Sequence, residues 1–166
     1  MITALHTAPI VGNLHWPNEQ ATQDGAAALA KKAALANAII ELHGDLGAGK
    51  TTFVRYLLTS LGVQGRIKSP SYAVLEPYEV ASPWEAARVL PIWHFDFYRF
   101  NDPRELEEAG FRDILAGPGL KLIEWADNAR AALPGPDLSI DLQVLGDASR
   151  RVRLQAHSAT GTALLS

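Results

Sequence analysis

A layered α/β fold is what this sequence predicts, and three features carry that expectation. Strand-like and helical segments alternate along the chain, a glycine-rich loop separates an apolar run from an amphipathic helix, and the C-terminal segment alternates apolar and polar residues with a period of two. The 166 residues fit a single domain, 1–166, and suffice to bury a core.

The elements follow in order. Residues 26–38, AAALAKKAALANA, are rich in the best helix former, and Thr22 stands upstream as an N-cap candidate, so a helix is expected over about 22–36. AIIELHG reads as a short strand ending at Gly44. In KTTFVRYLLTSLG, Phe53, Val54, Leu57, Leu58 and Leu61 recur at helical spacing, and Gly62 is placed to cap the C-terminus. Tyr72, Val74 and Leu75 favour extended structure after a turn at Pro70, and ASPWEAA is a loop. RVLPIWHFDFYRF is strand-like, with Trp93, Phe95 and Phe97 on one face and His94, Asp96 and Tyr98 on the other. NDPRELEEAGFRDILA predicts one or two short helices interrupted at Gly110, LKLIEW another short strand, and ADNARAAL a brief helix closed by PGP. Leu138, Ile140, Leu142 and Val144, then GDAS, then Val152, Leu154 and Ala156 predict an antiparallel hairpin at one edge of the sheet.

Composition excludes several classes. Hydrophobic residues at 48% and charged residues at 20% are those of a globular chain, not a disordered or coiled-coil one. Fifteen basic against eighteen acidic side chains leave a net charge of -3, so no general basic field draws a polyanion to the surface. With no cysteine, disulfides, thiolate catalysis and cysteine zinc sites are excluded. The start, MITALHTAPIVGNLHW, lacks a basic segment followed by an apolar core, and no apolar run approaches the ~18 residues of a membrane span. A cytoplasmic protein without membrane attachment is expected.

The loop LHGDLGAGKTTF satisfies G-x-x-x-x-G-K-[ST] at Gly44, Gly49, Lys50 and Thr51, a match that chance gives on the order of one chain in two hundred of this length. Its context, strand before and helix after, is the one the motif requires. Phosphate oxygens must approach several backbone amides together, and side chains would block that approach. Gly44, Asp45, Leu46, Gly47, Ala48, Gly49, Lys50, Thr51 and Thr52 are therefore the candidate phosphate-binding residues, with the Lys50 ammonium on the β and γ groups and the Thr51 hydroxyl on Mg2+. The fold class sharpens to a P-loop NTPase-like three-layer domain with a mixed, largely parallel sheet and a C-terminal antiparallel hairpin.

Hydrolysis on such a loop needs a carboxylate at the end of a buried strand. Asp96 and Glu124 both follow apolar runs and are candidates for catalysis beside Lys50, and for Mg2+ beside Thr51; sequence leaves open which of the two touches the metal. Arg99 could balance phosphate charge, although an arginine paired with an acid or solvated is the commoner fate. His94 shares a strand face with Asp96, but no third ligand follows at zinc spacing. In KSPSY, Ser69 and Ser71 flank a fixed turn where switch loops sense a γ-phosphate; an ordinary Ser-Pro turn is the alternative. The absence of [NT]-K-x-D favours adenine over guanine. Arg150, Arg151 and Arg153 lie on the terminal hairpin rather than in a lid.

Taken together, GDLGAGKTTF, IKSPSY, HFDFYRF, ELEEAGFRDIL and IEW, in this order, resemble the TsaE (YjeE) family from about Thr22 to Trp125. The resemblance implies an ATP- and Mg2+-dependent ATPase required for N6-threonylcarbamoyladenosine at position 37 of tRNA. It also implies the TsaD and TsaB proteins as partners, with tRNA reached indirectly through their complex. It carries Asp96 and Glu124 over as functional acids, Trp125 as a neighbour of the metal, and Ser71 as the switch hydroxyl where the family usually has threonine. Two other readings fit the loop: a small-molecule kinase, and a nucleotide-dependent scaffold without useful turnover.

Overall fold

The structure, a computed structural model, describes residues 11–67, 69–70, 74–102, 104–105 and 110–166. The chain enters through β1 (Val11–Trp16) and α1 (Glu19–Ala30), passes a 3-10 helix (Ala33–Asn37), and runs through β2 (Ile39–His43) into α2 (Lys50–Leu61). Then come β3 (Leu75–Ala81), β4 (Val89–Asp96), α3 (Phe111–Ala116), β5 (Leu120–Glu124) and a second 3-10 helix (Ala126–Ala132). The hairpin strands β6 (Leu138–Val144) and β7 (Arg150–Ala156) and a last helix α4 (Ala159–Leu165) complete it.

The alanine-rich helix begins earlier than Thr22 because Asn18 is the better cap: its Oδ1 accepts from the Ala21 amide at 3.0 Å, and Glu19 adds an acid to the first turn. It ends at Ala30, and the rest of the alanine run forms the first 3-10 helix. α2 matches its expected span, closed by left-handed Gly62. The segment ADNARAAL is 3-10 rather than α-helical.

Among the described residues seven strands form one sheet in the order β1-β7-β6-β2-β5-β4-β3. β6, β2, β5 and β4 are mutually parallel; the β3–β4, β6–β7 and β1–β7 pairs are antiparallel. The hairpin therefore does not lie at the edge, as its pattern suggests: β1 covers the outer side of β7, from Val11 opposite Gln155 to Trp16 opposite Arg150, and satisfies a ladder that β7 would otherwise expose. Prolines mark where pairing is missing. Pro77 sits in the opposite edge strand β3, and Pro91 precedes the point at which β4 meets β5, at Ile92 opposite Leu120.

Alternation along the central strands divides the core. Ile40, Leu42, Ile92 and Leu122 pack under Phe53, Leu57 and Leu58 of α2 and Ala26 of α1, and the Trp16 and Phe53 rings stack at 5.9 Å. On the other face Phe95, Phe97 and Ile123 pack with Leu115, Ala126 and Ala129, joined by Trp93 as its strand position predicts. Among the described residues no helix is long and apolar enough to cross a membrane.

One buried charge ties the second 3-10 helix to β2. Glu41, 1% exposed, accepts a two-pronged bond from Arg130 at 2.8 and 2.6 Å and a third contact from His43 at 3.1 Å. Burial alone would raise its carboxyl, but the bonds from His43 and Arg130 and their charges bring it down to about 2, from an ordinary 4.5. A value depressed in the folded state adds stability that is complete above the ordinary value and is lost as the pH falls towards 2; here it amounts to about 3 kcal/mol. Glu41→Gln is accordingly expected to lose about 3 kcal/mol at pH 7, measured by urea unfolding, and to show a shallower acid limb below pH ~4.5. Parallel acid limbs in the two proteins would contradict this.

Candidate functional site

β2 delivers the chain to the sheet edge at His43, and Gly44 must then turn it where there is no room for a side chain. Its φ is +143°, and a Cβ there would lie 2.5 Å from the Leu142 carbonyl oxygen. The loop closes on itself through the Ala48 amide, which donates to the Asp45 carbonyl at 2.9 Å. Gly49, left-handed at φ +107°, heads α2 and offers no side-chain cap, so the first amides of that helix are left without an intrahelical partner.

Lys50 is buried at the first position of α2. Its Nζ donates to the Gly44 carbonyl and, at 3.3 Å, to that of Asp45, and lies 4.0 Å from the centroid of the Trp125 ring. Burial lowers its pKa, against the opposing pull of the Glu124, Asp96 and Asp45 carboxylates. Trp125 takes a left-handed backbone (φ +57°) immediately after β5, a conformation uncommon outside glycine, and its ring also packs on Tyr98 at 4.8 Å.

Parallel register sets the acids side by side. Asp96, the last residue of β4, is paired with Glu124, the last of β5, and Glu124 is level with Leu42 of β2. Thr51, in the first turn of α2, donates its hydroxyl to Glu124 Oε1 at 2.9 Å, while His94 Nε2 lies 2.6 Å from Oε2. Asp96 accepts the Tyr98 amide at 2.9 Å. Its pKa is raised, chiefly by burial; the Tyr98 bond opposes the rise and the Glu124 charge adds to it.

These groups line one cleft of about 370 Å3, bounded by Leu46 to Thr52, Ser69, Asp96, Tyr98, Arg99, Glu124, Trp125 and Arg150. Gly44 and Asp45 sit on its far flank, where with His43, Lys50, Trp125 and Asp127 they bound a smaller hollow. Ser71 lies outside the described residues. The donors between α2 and the strand ends are a hydroxyl and two carboxylates, all oxygen, which suits Mg2+: a hard cation that keeps waters and takes phosphate oxygens as its remaining ligands. Among the described residues no group of three or more His, Cys, Asp or Glu stands ready to hold a metal.

Sequence reading missed Arg150. It stands on the hairpin as expected, at the start of β7, but from there it reaches the loop, and its Nε donates to the Ala48 carbonyl at 2.8 Å. It also forms a wall shared with a second pocket of about 230 Å3, in which Trp16, Asn18, Glu19, Thr22 and Ala148 meet Ala48, Gly49 and Thr52. Only the antiparallel fold-back of β6 on β7, Val144 opposite Arg150, brings that side chain to the loop, and nothing local to the sequence of the hairpin reports it.

Strand, glycine loop and helix on a parallel sheet, with paired acids at the neighbouring strand ends, define a P-loop NTPase-like fold. Comparison with known proteins specifies it further. The family described as threonylcarbamoyl adenosine biosynthesis protein TsaE matches residues 16–152. The tRNA threonylcarbamoyladenosine biosynthesis protein TsaE of Haemophilus influenzae is 39% identical over 128 residues, covering 77% of this chain and 76% of that protein. Its Bacillus subtilis namesake is 35% identical over 118 residues, covering 71% and 69%. The crystal structure of Bacillus subtilis YdiB superposes with a TM-score of 0.75 at 27% identity, covering 96% of this chain and 94% of that one. The chain belongs to the TsaE family, whose members serve the biosynthesis of threonylcarbamoyladenosine in tRNA.

Arg150→Ala removes a charge-assisted bond, worth about 2 kcal/mol, that holds the loop from outside the motif. Amide hydrogen exchange at residues 46–49 is expected to speed up about tenfold, with global stability lowered by no more than about 2 kcal/mol. Unchanged exchange in these amides would show that the loop does not depend on this contact.

Proposed function

We propose that this chain is an Mg2+-dependent ATPase whose nucleotide cycle serves threonylcarbamoyladenosine formation in company with the TsaD and TsaB proteins, tRNA being reached through their complex. The observation that carries the reading is the bridge from Thr51 Oγ1 to Glu124 Oε1, which sets a hydroxyl and a carboxylate together at the foot of a phosphate-sized loop.

On this reading the amides of residues 46–51 receive the phosphate oxygens, and Lys50 exchanges its two carbonyl partners for the β and γ groups. That exchange is favourable because the carbonyls offer only partial charge and phosphate offers full charge. The Thr51 hydroxyl and the Glu124 carboxylate, joined here by a hydrogen bond, are the residues that would hold Mg2+. Mg2+, when bound, would supply neutralisation of phosphate charge. Asp96, level with Glu124 at the neighbouring strand end, orients the attacking water. The second pocket, reached past Gly49 and Thr52, receives the adenine base against Trp16, and Arg150 stands between base and phosphates. A net charge of -3 fits a protein that meets tRNA through partners rather than directly.

Lys50→Ala, Thr51→Ala and Glu124→Ala should each lower ATP turnover at least a hundredfold while circular dichroism and melting stay those of a folded protein. The assay is release of inorganic phosphate with and without TsaD, TsaB and tRNA. Stimulation by the partners is expected; full turnover by Lys50→Ala would refute the ATPase, and phosphate recovered on an organic acceptor would make the protein a kinase instead.

A further inference from the structure

Among the described residues, His94 is the one wholly buried titratable side chain in contact with the site that the scheme above leaves unused. It lies on β4 two residues before Asp96, on the same face, yet at 0% exposure it does not open to the cleft as Asp96 does. Its Nε2 lies 2.6 Å from Glu124 Oε2, and its Nδ1 has no hydrogen-bond partner. These two facts fix the proton. A hydrogen on Nδ1 would be a buried donor with nothing to receive it, while Nε2 would face a carboxylate lone pair with a lone pair of its own. The tautomer that satisfies the pair carries its hydrogen on Nε2 and donates to Oε2.

Glu124 is therefore gripped at both oxygens, by Thr51 on the cleft side and by His94 on the buried side. The Thr51 bond is the one that ligand binding removes, because that hydroxyl is needed elsewhere. We propose that His94 is the positioning residue for Glu124: by retaining Oε2 it leaves Oε1 as the single carboxylate oxygen offered to the cleft, and so fixes a one-oxygen approach to the divalent cation that accompanies the nucleotide. The inference rests on the Mg2+-nucleotide reading above. A carboxylate freed of His94 keeps three rotatable bonds and both oxygens available, and can swing away or chelate through both; each outcome weakens the coupling between cation and nucleotide.

Three substitutions separate geometry from mere burial. His94→Gln places an amide NH2 near the position of Nε2 and keeps the donor; His94→Asn places it near Nδ1, short of Glu124; His94→Leu removes it. Affinity for mant-ADP is measured in EDTA and across an Mg2+ titration, with melting curves for folding and with kcat and KM for ATP. The gain in affinity on adding Mg2+ is expected to fall about tenfold in His94→Leu and His94→Asn and to be largely restored in His94→Gln, with affinities in EDTA alike in all four proteins. Turnover should fall through kcat more than through KM. A wild-type Mg2+ gain in folded His94→Asn or His94→Leu overturns the positioning role alone. Wild-type protein whose nucleotide affinity ignores Mg2+ overturns the Mg2+-nucleotide reading as well. Loss in all three variants, Gln included, also counts against the proposal, since the donor would then not be what matters.

Discussion

In-register parallel pairing of β4, β5 and β2 is the constraint on which the site depends. Because Asp96, Glu124 and Leu42 stand level across three adjacent strands, the ends of those strands reach the same edge together, and residues 46–52 share one cleft with both acids. Side chains in a strand alternate between faces, so a slip of one residue in β5 would turn Glu124 away from α2 and bring Ile123 into its place. The apolar partners of that alternation hold the register: Leu122 sits under α2 and Ile123 under the opposite layer, each fully buried. The chemistry at the edge is thus fixed by hydrophobic residues well behind it.

Burial gives this edge its electrostatic character. Lys50, Asp96 and Glu124 are all nearly inaccessible, and each alone would be costly in a low-dielectric interior. They are tolerable as a group because the carboxylates oppose the fall in the Lys50 pKa, and the Tyr98 amide and the Lys50 charge oppose the rise in that of Asp96. The arrangement resembles that of Glu41 on the other face of β2, where Arg130 and His43 satisfy one carboxylate. The difference lies in what is left over. Glu41 has its partners within the protein, whereas Lys50 rests on neutral carbonyls and an aromatic ring, contacts that a stronger anion can displace.

How much of this was legible in the sequence depended on the range of the interaction that decides each feature. α2 and its flanking glycines were readable because cap, periodicity and left-handed turn all lie within a dozen residues. The two faces of β4 were readable because alternation is local. The start of α1 was misplaced by a few residues because Asn18 competes successfully with Thr22 as a cap. The hairpin's place inside the sheet was not readable, since β1 and β7 lie far apart in the chain and their pairing is decided by an edge that one strand alone does not display. Within the site, loop and acids carried a motif, whereas the reach of Arg150 and the grip of His94 on Glu124 depend on contacts across 102 and 30 positions.

The hairpin tip has a mechanical meaning. β1 is hydrogen-bonded to β7 along its length, with Trp16 opposite Arg150, and Arg150 holds the loop through Ala48. Trp16 stacks on Phe53, three residues into the helix that Lys50 begins. The outermost strand is thus joined to the glycine loop by two rigid links, one through β7 and one through α2. Strand β1 is therefore part of the loop's support although it contributes nothing to the loop's motif.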